Sequence, residues 1–167
     1  MDKNHKLLAR ADYERQVVRL KERFAYQFRE PNAGYYIQPG WLALITRLCE
    51  AADEALTPAT RKDFQWAQIK EKFGTLRAYW EDGPVSIDFF SEDDHSRIKT
   101  APNAHANIDE ATSGCLHALV REAEVQSAKT CLFCGAAGAL RRGRGWIVTA
   151  CDDCDKSRRH FSDEDES

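Results

Sequence analysis

An α+β fold is predicted: two N-terminal helices packed on a small antiparallel β-meander, a further helix, and a C-terminal zinc-ribbon-like module. Three observations carry this. Apolar residues recur at helical spacing in three separate stretches. Between the second and third, the pattern switches to short aromatic and β-branched runs broken by turn formers. Two Cys-x-x-Cys pairs lie near the C-terminus.

The first helix is expected over Ala11 to Glu30, where Val17, Leu20, Phe24 and Phe28 recur at threes and fours between arginines and lysines. "EPNAGYYIQPG" follows, and its prolines and glycines require a loop. Trp41, Ile45, Leu48, Cys49, Ala52 and Leu56 mark one face of a second helix, stopped at Thr57 and Pro58. Strands are expected near Phe64 to Lys72, Thr75 to Glu81 and Val85 to Phe90, separated by Gly74 and by "DGP". A third helical stripe runs through Ile108, Thr112, Cys115, Leu116, Leu119 and Ala123, with Asn107 or Asp109 as its cap. Cys115 lies on that stripe and is expected to be a buried small hydrophobe.

At 167 residues the chain suits one main domain with a small appended module. The expected division is an α+β body over 1–128, the zinc-ribbon-like module over 129–160 and an acidic tail over 161–167. With 43% hydrophobic and 31% charged residues the composition is that of a globular protein. No apolar run reaches the roughly 20 residues of a membrane span, and "MDKNHKLLAR" lacks the apolar core of a secretory signal. A cytoplasmic location is therefore expected. There, six cysteines read as thiols or metal ligands rather than disulfides. A net charge of −3 argues against indiscriminate coating of nucleic acid, while leaving room for a local basic face.

The two cysteine pairs, separated by sixteen residues, have the spacing by which paired thiolates complete a tetrahedral zinc site. Cys131, Cys134, Cys151 and Cys154 are the expected ligands of one Zn²⁺. Gly135 suits a turn that needs a positive dihedral after the second thiolate. A redox dithiol would leave the second pair unexplained. With all four positions filled by protein, no place remains for an activated water, so the metal is expected to be structural.

Between the pairs, "ALRRGRGWIVTA" reads as a hairpin with a strand at Trp146 to Thr149. Its Arg141, Arg142 and Arg144, beside Trp146, could contact phosphate and a base; equally, they could be a solvated face, or pair with the acidic tail. Upstream, Lys70, Lys72, Arg77 and Tyr79 alternate with apolar residues on the "QIKEKFGTLRAYW" hairpin. They are a second candidate contact surface, or ordinary edge protection. From Ala78 to Ser96 there is no Lys or Arg, and six acids, Glu81, Asp82, Asp88, Glu92, Asp93 and Asp94, form a negative stretch, in which Asp93, Asp94 and His95 with Asp88 could hold a cation, or which is merely solvated.

A Gly-Trp helix start at Gly40 and Trp41, a KEKFG-x-LR-x-Y hairpin from Lys70 to Tyr79, an AE-x-x-S pattern from Ala123 to Ser127, and the cysteine module with Trp146 and Ile147 occur in that order. In this series the chain resembles a family of small, largely uncharacterised phage and bacterial proteins. The resemblance covers about Leu20 to Cys154. Cys154 stands where members of that family often have histidine, and both residues ligate zinc. The stretch Pro84 to Asn107 is longer than is usual there. The resemblance implies a phage or mobile-element setting and no particular reaction.

No GxSxG, P-loop, Rossmann or HExxH pattern is present, and Cys115 and His117 fall on different sides of their helix. The expectation is therefore a non-catalytic binder docking on a protein partner, inhibitor- or immunity-like. The alternative is a nucleic-acid-binding regulator using the basic ribbon. A structural or assembly component, or an enzyme, is a lesser reading.

Overall fold

The computed structural model describes residues 10–30, 32–80, 86–91, 94–99, 108–142 and 146–163, with side chains undescribed at 86–99 and 158–163. Helix α1 (Arg10–Arg23) leads through a single 3₁₀ turn into a loop, and α2 (Leu42–Ala55) follows. An antiparallel hairpin, β1 (Trp66–Lys72) and β2 (Thr75–Trp80), comes next. Strands β3 (Ser86–Ser91) and β4 (Asp94–Lys99) form a second hairpin. The long α3 (Glu110–Ser127) leads into β5 (Ala139–Arg141), β6 (Val148–Ala150) and α4 (Asp152–Asp163). The mixed helix-and-strand class is the one the sequence predicts.

Helix α1 stops at Arg23, short of the expected Glu30, because the core recruits Gln27. That side chain is fully buried; its amide nitrogen donates to Cys49 O at 3.0 Å and its oxygen accepts from Trp66 Nε1 at 3.0 Å. A helix continued through Phe24 would aim Gln27 by helical geometry alone, whereas a buried amide must be fully bonded. Helix α2 follows its predicted stripe closely: Trp41, Ile45, Leu48, Cys49, Ala52 and Leu56 are all buried. Burial of an Ile or Leu of this kind contributes about 2 kcal/mol.

Asp109 caps α3, its carboxylate accepting from Thr112 N at 2.9 Å. The inward line of α3 runs through Leu116, Ala123 and Ser127. Cys115, expected in the core, is exposed. One residue on an α-helix is a turn of about 100°, and with Leu116 pointing inward its neighbour is carried off the buried face.

The three expected strands do not run on as one sheet. Among the described residues β2 pairs only with β1, and β3 pairs with β4, a strand in a stretch for which the sequence predicts a loop. The outer edge of β2 is already engaged: Leu76 N donates to Ser127 Oγ on α3 at 2.8 Å. Strand β1 is flanked on its other side by the loop before α2, through a parallel bridge between Tyr35 and Ile69.

The cysteine segment shares the body's core. Leu132, Val148 and Ala150 belong to the same buried cluster as Trp41, Ile45 and Ile69. Gly40 N donates to Leu132 O at 2.8 Å, and Trp41 Nε1 donates to Thr130 O at 2.9 Å. A Cβ on Gly40 would lie 2.1 Å from Cys131 O and 2.5 Å from Gly135 N, so only glycine permits this approach.

Candidate metal centre

Cys131 and Cys134 sit on a tight turn between α3 and β5. Gly135 N donates back to Cys131 O at 2.9 Å, Cys131 N donates to Ala136 O at 2.7 Å, and Gly135 takes φ +78°. The predicted positive dihedral is present, and a Cβ on Gly135 would lie 3.0 Å from Gly40 O. Cys151 and Cys154 do not lie on a second strand turn, as a ribbon would place them. They open α4, with Cys154 N 3.4 Å from Cys151 Sγ and Asp155 N donating to Cys151 O at 2.9 Å. The arrangement is turn, hairpin, helix. A helix start suits this pair, because its free N–H groups and positive dipole end favour thiolate charge.

The four sulfurs lie within 4.8 Å of one another, and those of Cys134 and Cys151 are 3.7 Å apart. A tetrahedron with metal–sulfur bonds of about 2.3 Å has edges of about 3.8 Å. The cluster therefore fits one metal ion with all four ligands supplied by protein. Cys131 and Cys151 are buried, and Cys134 and Cys154 half-buried, so the cage is closed toward the core.

The thiols are unequal. Burial raises the Cys131 thiol, but backbone N–H groups of Cys151, Cys134 and Phe133 directed at its sulfur outweigh that and leave it below the ordinary value. Burial pushes Cys134 up to about 11. Cys154 is raised further still, by burial first and then by the neighbouring Cys151 and Cys134 sulfurs. Four thiolates this close cannot all carry charge unless a cation joins them. A divalent ion would reduce the cluster to a net charge of about −2.

The hairpin residues singled out in the sequence gather on one face. Strand register sets Lys72 opposite Thr75, Lys70 opposite Arg77 and Gln68 opposite Tyr79, and directly opposed residues of an antiparallel pair share a face. Lys70 Nζ lies 5.8 Å from the Tyr79 ring. Arg77 is held internally, paired with Glu124 and donating to Leu76 O at 3.0 Å. Glu124 and Ser127 are thus the two α3 residues that grip Arg77 and Leu76, so the AE-x-x-S and LR stretches meet.

In the cysteine segment, Arg141 is paired with Asp152 and donates to Ala150 O at 3.2 Å, which occupies its guanidinium. Arg142 is exposed, and Arg144 lies outside the described residues. Trp146 is half exposed, with Nε1 donating to Glu71 Oε2 at 3.0 Å. Of the acidic stretch, Glu81, Asp82, Glu92 and Asp93 lie outside the described residues, while Asp88 and Asp94 fall within β3 and β4 with side chains undescribed. His117 Nδ1 is 2.8 Å from Ser113 O, and its ring packs edge-on against Trp80 at 4.3 Å.

The outward display of Phe73 and Leu140 and the two hydrogen bonds of Glu71 were missed by sequence reasoning. Phe73 is 66% exposed at the hairpin turn with φ +53°. Glu71 ties that turn to Trp146, accepting from Gly74 N at 2.6 Å with its other oxygen. The signal available was a two-residue turn spelled Phe-Gly, where Asn-Gly or Gly-Gly is the usual pair.

No family model matches the chain, and comparison with curated proteins and with solved structures returned no match. Among the described residues, no helix is long and apolar enough to cross a membrane.

Proposed function

We propose that this chain is a non-catalytic, zinc-stabilised binding protein of the cytoplasm that acts by docking on a protein partner. The observation that carries the reading is the tip of the β1–β2 hairpin, where Phe73, Trp146 and Leu140 are displayed outward on a base braced by the cysteine cluster. Exposed aromatic residues on a rigid support are the usual anchors of protein interfaces. Zinc is the metal that best suits four thiolates at this spacing, and it would act by holding the structure. An inhibitor or immunity role in a phage or mobile-element setting rests on the family resemblance alone.

The test is affinity capture on the metal-loaded full chain from nuclease-treated extract of the source cells. A stoichiometric protein partner is expected. Recovery of no protein, with nucleic acid retained at moderate salt in untreated extract, would sink the proposal.

One observation favours a second reading, nucleic-acid binding. Its seat moves from the ribbon arginines, since Arg141 is engaged by Asp152, to the face where Lys70 lies beside Tyr79 and Lys72 beside Phe73. Lysines interleaved with rings suit phosphate contact and base stacking. A mobility shift that weakens with salt and disappears on Lys70→Glu with Lys72→Glu would establish this reading, and no shift at low salt would remove it.

A further inference from the structure

The turn of the β1–β2 hairpin has a backbone that its side chain does not suit. Phe73 at φ +53° and Gly74 at φ +82° place both central residues in the left-handed region. Glycine reaches it freely and asparagine readily, but a bulky side chain there is strained. The conformation is imposed from outside the turn. Glu71 Oε1 accepts from Gly74 N at 2.6 Å, Thr149 Oγ1 donates to Gly74 O at 2.7 Å, and a Cβ on Gly74 would lie 2.4 Å from Leu140 Cδ1.

Burial within the chain does not offset that strain, because Phe73 is 66% exposed. Strain kept without an internal return points to what the residue displays. Two further exposed apolar side chains are tied to the same turn, Trp146 through its bond to Glu71 and Leu140 through its place beside Gly74. The charge at the tip is polarised. Lys72 Nζ lies 5.4 Å from the Phe73 ring, Lys70 follows on the same strand face, and Arg142 is exposed on the neighbouring segment. Glu71 turns the other way and commits both oxygens to Gly74 N and Trp146 Nε1.

From this we infer that Phe73 is the anchor of the docking surface, a knob that enters an apolar pocket rimmed by carboxylates on the partner protein. The inference rests on the protein-docking reading above and deepens it. An apolar pocket accommodates the ring, and an acidic rim complements Lys70, Lys72 and Arg142 as the surfaces close.

Site-specific photo-cross-linking on the metal-loaded full chain tests it. p-Benzoylphenylalanine is placed singly at position 73, at Tyr36 and at Val125, all exposed positions, and irradiated in extract of the source cells. A protein adduct is expected at position 73 and not at Val125, with the attached partner peptide lying beside Asp or Glu. Lys70→Glu with Lys72→Glu should reduce that adduct at least about tenfold. Excess unlabelled wild type should compete, and excess Phe73→Asn, which suits the turn and keeps the fold, should not. Protein adducts at Tyr36 without one at 73, an adduct at 73 no stronger than at Val125, or one indifferent to the charge reversal would overturn the anchor while leaving protein docking in place. No protein adduct at any position, or adducts only with nucleic acid, would overturn both.

Discussion

Thr149 Oγ1 donates a 2.7 Å hydrogen bond to Gly74 O, joining the strand that leads into the second cysteine pair to the turn of a hairpin 75 residues earlier. Both groups are buried, so the bond is sheltered from water. With Gly40 seated against Cys131 and Trp146 bonded to Glu71, it makes the cysteine cluster and the hairpin tip one mechanical unit.

Metal removal should therefore be felt well beyond the cysteines. Metal analysis is expected to give one zinc per chain, and Cys131→Ser should release it. Saturating metal at about a thousand times its dissociation constant would supply about 4 kcal/mol of stability, which a chelator should remove in thermal unfolding. Trp146 fluorescence should change on chelation, because its indole partner Glu71 belongs to the hairpin. Binding needs thiolates, and Cys134 and Cys154 have raised thiol values, so metal retention should weaken as pH falls, with protons taken up. Chelator competition between about pH 8 and pH 5 measures this.

Two glycine-to-alanine changes should act with opposite sign. Gly40→Ala drives a Cβ to 2.1 Å from Cys131 O and should destabilise by about 3 kcal/mol, loosening the metal as well. Gly114 lies within α3 with open space around its Cα, and Gly114→Ala should stabilise by about 0.8 kcal/mol. Chemical denaturation of both variants decides the point.

Phe73→Asn should raise stability by about 1 kcal/mol, since asparagine tolerates the left-handed backbone that strains phenylalanine. An unchanged or lowered midpoint would mean that the ring contributes packing that its exposure does not suggest.

Stability should fall at alkaline pH. Burial pushes the Cys49 thiol up to about 12, and burial with the Asp53 hydrogen bond raises Tyr26 to about 12. Both folded values lie above those of the unfolded chain, about 8.5 for Cys and 10 for Tyr. Their contribution is therefore complete below the unfolded values and is lost as pH rises toward 12. Denaturation midpoints should drop between about pH 8.5 and pH 11, and Cys49→Ala should flatten the early part of that drop.

Much was legible from local pattern. The α2 stripe, the Asp109 cap, the glycine after the first cysteine pair and the gathering of the four cysteines follow from periodicity, capping chemistry and spacing, each a property of neighbouring residues. The early end of α1 and the exposure of Cys115 were not legible. Gln27 answers to Cys49 and Trp66, and the face of α3 that turns inward is chosen by what it packs against. The strand pairing was hidden for the same reason, since Ser127, 51 residues from Leu76, takes the edge on which a third strand would have paired.

By itself, the sequence determined the first three helices, the β1–β2 hairpin and which four sulfurs belong together, but neither β4 nor α4. Period, turn chemistry and ligand spacing act over a few residues and need no knowledge of the rest of the chain. Only the tertiary structure decided where the second cysteine pair sits, which arginines are already engaged, and that Phe73 stands outward on a strained turn. Those outcomes depend on groups from distant segments competing for the same hydrogen bonds and the same space around Gly40 and Gly74, and sequence spacing does not record that competition.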